Sequence, residues 1–291
     1  MSLKPRRSVL YMPGSNARAL EKAKTLNADT LVLDLEDAVA PDQKQAAREQ
    51  VVAALKEGGY GSREMVIRVN GLDTPWCEDD IRAVAGAPVA AICLPKIETP
   101  EQVVEVVKRL DSAGGDSSIE IWAMIETPKG VINVNQIAAA HPRLKLLMMG
   151  TSDLAKEMRV PHTPDRLGFI APLSACVVAA RANGLDVLDG VHLSLDDEEG
   201  FRDVCIQGRN LGFDGKTLIH PKQLAVANEV FGPSPGDVER ASRIIKAFKE
   251  AEAQGKGVVV VDGKLVENLH VDEALRTLEI SAAINARETN I

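Results

Sequence analysis

The sequence predicts an α/β protein of the (β/α)8 class, a TIM barrel, carrying a C-terminal helical and hairpin lid. Three observations carry this expectation. Eight short apolar runs rich in β-branched residues are each followed by a helical pattern, a breaker cluster comes directly after the eighth unit, and polar residues recur at the C-terminal ends of the runs. With 291 residues and 45% hydrophobic content the chain can bury one large core, and barrels of this class commonly run to roughly 200–250 residues as one domain.

The first run is Ser8–Met12, followed by an amphipathic stretch from Asn16 to Leu26 and a second run at Thr30–Leu35. The pattern then gives a helix over Gln43–Lys56, a strand at Met65–Val69, a helix at Glu78–Val84, a strand at Ala91–Leu94, a helix at Pro100–Leu110 and a strand at Ile119–Ile125. A weak helix after Pro128 reaches Ala140 and leads to the strand Leu144–Met149. A long segment follows, with its main helix near Leu167–Asn183 and a strand around Val187–Val191. The last two units are completed by a helix at Asp197–Leu211, a short strand at Thr217–Ile219 and a helix at Pro221–Val230. Eight such units suit a closed barrel better than an open sheet.

The cluster Phe231-Gly-Pro-Ser-Pro-Gly236 marks the boundary, so residues 1–231 read as the catalytic barrel and 232–291 as a lid and oligomerisation segment. That segment reads as a charged helix from Asp237 to Gln254, a hairpin over Val258–Val266 and a final helix from about Val271 to Ala283. The Asp262-Gly263 pair favours a type I′ turn in the hairpin.

Composition narrows the function. The formal charge of −8, from 42 acidic and 34 basic residues, excludes a general nucleic-acid binder, so a polyanionic ligand needs a local basic cluster. The apolar stretch near the N-terminus is too short for a signal peptide, and no run reaches the length of a membrane span. Cys77, Cys93, Cys176 and Cys205 form no C-x-x-C pair and read as small buried residues. The expectation is a cytoplasmic protein, or one of an organelle matrix.

In a barrel of this class the active site lies at the C-terminal ends of the strands, and those ends are polar. They hold Asp34-Leu-Glu36-Asp37, Arg68-Val-Asn70, Lys96, Glu126, Ser152-Asp153 and Asp189. Glu126 and Asp153 follow adjacent strands, and a Mg²⁺ ion that keeps several waters needs only one or two carboxylates; the other reading of the pair is helix capping. Arg68 is placed to grip a carboxylate through two parallel hydrogen bonds, or to pair internally with Glu36 or Asp37. Lys96 is the residue type of a Schiff-base nucleophile, but a carboxylate-rich rim holds its ammonium protonated. Gly215-Lys216-Thr217 resembles the end of a P-loop, yet Asn210 stands at the required earlier glycine and a strand follows where a helix belongs. The histidines show no metal-ligand spacing, and no Ser/His/Asp order stands out.

Seven motifs in order, RRSVLYMPGSN, LVLDLEDAVAPDQK, IRVN, CLPKIE, IETPKG, GTSDLA and GKTLIHPKQ, span nearly the whole barrel. Together they resemble the citrate lyase β-subunit-like acyl-CoA lyases, which include malyl-CoA and citramalyl-CoA lyases. The resemblance implies a (β/α)8 barrel, usually in a homotrimer, with Mg²⁺ (or Mn²⁺) on Glu126 and Asp153. It implies that Arg68 and the backbone near Ser152 hold the keto-acid portion, with Glu36 and Asp37 close to the metal waters. Tyr11, Asn16, Lys22, Ile219 and His220 would line the CoA nucleotide.

The activity it implies is Mg²⁺-dependent C–C cleavage of a 3-hydroxyacyl-CoA to acetyl-CoA, or a homologue, and a 2-keto acid. In relatives the acid/base group is an aspartate in a G-K-M-[IV]-D-like segment of the C-terminal appendage, delivered to a neighbouring subunit. Here the segment is Gly263-Lys264-Leu265-Val266-Glu267, with Glu267 at the aspartate position. The added methylene either is accommodated by the loop or marks a drift toward thioester hydrolysis or another substrate. The alternatives are a citryl thioester lyase subunit working on a carrier protein, a malyl-CoA-type thioesterase, and a CoA-binding scaffold.

Overall fold

The computed structural model describes residues 4–255 and 257–289. Eight parallel strands close into a barrel in sequence order, with the eighth bonded back to the first. The chain runs through β1 (Ser8–Pro13), α1 (Ala17–Ala23), β2 (Thr30–Asp34), α2 (Lys44–Glu57), β3 (Glu64–Arg68), α3 (Cys77–Ala85), β4 (Ala91–Leu94) and α4 (Pro100–Ser112). It continues through β5 (Glu120–Ile125), α5 (Pro128–Ile132), α6 (Val134–Ala138), β6 (Leu144–Met149), α7 (Thr151–Met158), α8 (Ile170–Ala182), β7 (Asp186–Asp189), α9 (Glu198–Leu211), β8 (Gly215–Leu218) and α10 (Leu224–Phe231). The expected (β/α)8 barrel is therefore the fold.

Beyond shifts of a few residues at strand and helix ends, two details differ from the sequence pattern. The weak helix after Pro128 is two short helices broken at Asn133, whose side-chain amide donates to the Glu98 carbonyl at 2.8 Å. Helix α7 opens the segment whose main helix was expected near Leu167–Asn183, and Ser152 and Asp153 lie in its first turn, as the helix-capping reading of Asp153 allowed.

Side chains of a strand alternate between faces, and inside the barrel this alternation builds layers. At the N-terminal end Arg6 is 2.8 Å from both Glu64 and Glu120 and 2.7 Å from Asp186, residues that open β3, β5 and β7. The Arg6 guanidinium also stacks 4.9 Å from the centre of the Trp122 ring. Above this ionic floor lies an apolar plug of buried residues, Val9, Val32, Val66, Ala91, Cys93, Trp122, Met124, Leu146, Met148 and Leu188, with Tyr11 packed against it. Two residues on from Val32, Val66 and Met124 the same alternation reaches Asp34, Arg68 and Glu126 at the C-terminal mouth.

A second compact unit begins at Glu229. It holds α11 (Pro235–Glu252), the antiparallel pair β9 (Val259–Val261) and β10 (Lys264–Val266), and α12 (Asn268–Glu288). Ser234 caps α11, accepting from the Asp237 amide at 3.1 Å, and the core comprises Ala241, Ile244, Phe248, Val266 and Ala274. The hairpin turns on Asp262 and Gly263 with φ of 49° and 74°, the positive pair that a type I′ turn requires. All four cysteines are free and buried. Among the described residues no helix is long and apolar enough to cross a membrane.

Candidate active site

A cavity of about 400 Å³ opens at the C-terminal mouth of the barrel. Its walls include Tyr11, Asp34, Asp37, Arg68, Glu126, Ser152, Asp153 and Ile219, so seven of the residues given a site role from sequence, all of these but Asp34, meet in one place. Glu36 adjoins them through contacts with Arg68 and Lys96. Asn16, Lys22 and His220 are not among its lining residues. Asn16 caps α1 by accepting from the Ala19 amide at 3.1 Å, Lys22 is exposed in the last turn of that helix, and His220 Nδ1 accepts from the Lys222 amide at 3.1 Å. Tyr11 stands over the apolar plug, its hydroxyl 3.0 Å from Met148 Sδ and its ring 4.8 Å from the Arg68 guanidinium.

Arg68 ends β3 beside the end of β2, and the parallel register sets it directly across from Asp34. Its Nε and Nη2 donate to the two Asp34 oxygens at 2.7 and 2.6 Å, the two-point fork that only arginine makes. The carboxylate of Asp34 also accepts from the backbone amides of Glu36 and Ala38 at 2.9 and 3.2 Å, so it is fully committed to holding the guanidinium. Burial opposes the charge on Arg68, but Asp34, Tyr11 and Glu36 outweigh it and the group stays firmly protonated. The expected internal partner was Glu36 or Asp37; the structure uses Asp34 and Glu36. Same-face spacing with Val32 was the sequence signal for Asp34.

Glu36 Oε2 lies 2.8 Å from Arg68 Nη1 but is without a hydrogen bond, so that contact is electrostatic only. Burial raises the Glu36 carboxyl pKa, with Asp37 and Asp34 adding to the rise and Arg68 and Lys96 opposing it.

Glu126 follows β5 and is 4% exposed, with Oε1 accepting from the Lys96 amide at 2.7 Å. Its carboxyl is pushed up to about 7, first by burial and then by the negative Glu36, against the opposing pull of the Lys96 amide and Arg68. The seat is built for this side chain: a Cβ on Gly150 would lie 2.5 Å from Glu126 Cβ, so only glycine fits after β6. Asp153 sits in the first turn of α7, a third exposed, and its Oδ2 is 3.6 Å from Lys96 Nζ.

Lys96 has φ of 51°, a left-handed conformation uncommon for a residue with a side chain. Its ammonium is 3.6 Å from both Glu36 and Asp153. Burial alone would lower its pKa, but Glu36 and Asp153 raise it, which keeps the amine protonated and argues against a Schiff-base nucleophile.

Sequence reasoning missed the network behind the mouth. Asp189 ends β7 and is fully buried between Arg166 Nη1 and Lys216 Nζ, both at 2.8 Å, and Lys216 also donates to the Gly190 carbonyl. Lys216 had shown only a failed P-loop pattern. Its pairing depends on two strands whose adjacency exists only in the closed barrel. The residue anchors the start of the loop bearing Val191 and Leu193, which line the cavity.

Glu267 belongs to the second unit. It is the N-cap residue of α12, and its backbone N–H donates to His270 Nδ1 at 3.1 Å.

Comparison with known proteins agrees with this architecture. The (3S)-malyl-CoA thioesterase of Cereibacter sphaeroides is 51% identical over 282 residues, covering 97% of this chain and 96% of that protein. The citrate lyase subunit beta of Haemophilus influenzae is 37% identical, covering 95% of this chain and 97% of that one. The crystal structure of CitE from Mycobacterium tuberculosis in complex with magnesium, acetoacetate and coenzyme A superposes with a TM-score of 0.76 at 28% identity, over 94% of this chain and 97% of that one. The family model described as HpcH/HpaI aldolase/citrate lyase matches residues 7–221, and the chain belongs to that family.

Proposed function

We propose that the chain is a Mg²⁺-dependent enzyme acting on a malyl-CoA-type thioester, and that it hydrolyses the thioester to the free hydroxy acid and CoA. The observation that carries the reading is the grouping of Glu126, Asp153 and Arg68 around one cavity, joined to 51% identity with a (3S)-malyl-CoA thioesterase along nearly the whole chain.

The residues fit a divalent ion. Glu126 and Glu36 are carboxyls whose ionisation is opposed first by burial, then by Glu36 for Glu126 and by Asp37 and Asp34 for Glu36, and a cation beside them relieves that cost. Glu126 and Asp153 both line the cavity and would be the two carboxylates that hold the ion. Two carboxylates with retained water are the binding mode of Mg²⁺, and Mn²⁺ accepts the same oxygen donors. When bound there, the ion supplies Lewis-acid polarisation of a substrate carbonyl.

The protein's own groups do the remaining work. Arg68, with two nitrogens fixed on Asp34 and Nη1 2.8 Å from Glu36, lines the cavity, where its guanidinium would orient the substrate carboxylate. Glu36 has the raised pKa of a general base and accepts a proton from water as the water oxygen adds to the thioester carbonyl carbon. The C–S bond then breaks, the carbonyl re-forms as the acid, and Glu36 returns the proton to the departing thiolate. Asp37 stands exposed in the cavity wall, and Ser152 and Ile219 line the same cavity.

C–C cleavage is the second reading. It is favoured by the family and by 37% identity with a citrate lyase subunit beta, whereas 51% identity with a (3S)-malyl-CoA thioesterase favours hydrolysis. Calorimetric Mg²⁺ titration of the wild type, Glu126→Gln and Asp153→Asn tests the metal reading. Binding in the wild type and loss in both folded variants is the expected result, and full thioester turnover after exhaustive chelation would overturn it.

A further inference from the structure

Lys96 is not accounted for by the chemistry above, yet its position is expensive. A non-glycine residue in the left-handed region costs on the order of 1 kcal/mol, and such strain concentrates where geometry matters. The bend turns the Lys96 amide onto Glu126 Oε1 at 2.7 Å, and the ammonium stands 3.6 Å from Glu36 Oε1 and 3.6 Å from Asp153 Oδ2. One residue therefore touches both proposed metal ligands, one through its backbone and the other through its side chain.

The charges at the mouth show what this does. Asp34, Glu36, Glu126 and Asp153 carry four negative charges when ionised; Arg68 and Lys96 carry two positive ones. Asp37, exposed in the cavity wall, adds a fifth carboxylate that acts on both Glu36 and Lys96, so negative charge is in excess. Removing the Lys96 ammonium would leave one more negative charge uncompensated beside a bound cation.

We infer that Lys96 is a positioning residue that sets the cation affinity of this site, its strained backbone aiming Glu126 and its ammonium weakening metal binding by sharing Glu36 and Asp153. The inference rests on the metal reading given above.

Calorimetric titration with Mn²⁺ alone separates the inference from the reading it rests on. Wild type, Lys96→Met and Lys96→Gly are compared, each first checked for native melting, with Lys96→Gln in reserve for either. Methionine removes the charge and keeps the strain; glycine removes both and keeps the N–H. Both variants should bind Mn²⁺ on the order of tenfold more tightly, the effect of deleting a unit charge close to a divalent ion even when screened as in water, since Lys96 is half exposed. Wild-type binding with unchanged or weaker affinity in either variant overturns the inference alone. No Mn²⁺ binding by wild type overturns the metal reading and the inference with it.

Discussion

Replacing Arg68 by lysine preserves charge and removes geometry, and the structure gives the size of the effect. The guanidinium makes two charge-assisted bonds to Asp34, of 2.7 and 2.6 Å, and stacks 4.8 Å from Tyr11. A lysine ammonium can keep one of the two bonds. Losing the other costs roughly 1.5–3 kcal/mol at a buried charged pair, and losing the stack costs roughly 0.5–2 kcal/mol. The folded state should therefore be about 2–5 kcal/mol less stable, read as a lower midpoint in urea denaturation with an unchanged slope. If Nη1 also orients a substrate carboxylate, kcat/KM should fall by an additional factor on the order of a hundred, because each ~1.4 kcal/mol of lost transition-state binding is tenfold in rate. A lower midpoint with kcat/KM within threefold of wild type would refute the substrate role and leave Arg68 as a structural partner of Asp34.

Other consequences follow from the same charges. Arg6→Met should destabilise the barrel by about 3–5 kcal/mol, since it leaves Glu64, Glu120 and Asp186 together without their cation, while kcat of the folded fraction stays unchanged; denaturation and steady-state kinetics check both. Glu126 has a folded pKa raised from about 4.5 to about 7, so its contribution to stability is fully present below 4.5 and is lost as pH rises through 7. Metal-stripped protein should accordingly lose about 3 kcal/mol from this group across that window, and Mg²⁺ should restore stability above pH 7 and have little effect below pH 5; flat melting curves with and without Mg²⁺ would contradict this. Glu267→Ala chains mixed with Glu126→Gln chains should regain turnover if the Glu267 carboxyl serves a neighbouring subunit's site, and no recovery after verified subunit exchange would exclude that role.

Much of the barrel was legible because its strands are continuous apolar runs: Ala91–Leu94 and Leu144–Met149 stand where the pattern set them. Helix α7 was legible only as the capping reading of Asp153, because Thr151–Met158 is short and its opening Thr-Ser-Asp triplet reads equally well as a loop. The carboxylates and Arg68 could be found from their positions at strand ends. Their partners could not, since Asp34 meets Arg68 only through the parallel register of β2 and β3, and Asp189 meets Lys216 only through that of β7 and β8. Asn16 illustrates the reverse limit. It sits in a matching motif, but its side chain is bound to a helix cap, so the motif alone did not give its local role.

The most direct test of the central claim is the identity of the first thioester product. Purified protein with Mg²⁺ and malyl-CoA should release free CoA and malate in equal amounts, with no acetyl-CoA at any time point, and Glu126→Gln should release neither. Acetyl-CoA appearing together with glyoxylate before free CoA would contradict hydrolysis and assign the site to C–C cleavage.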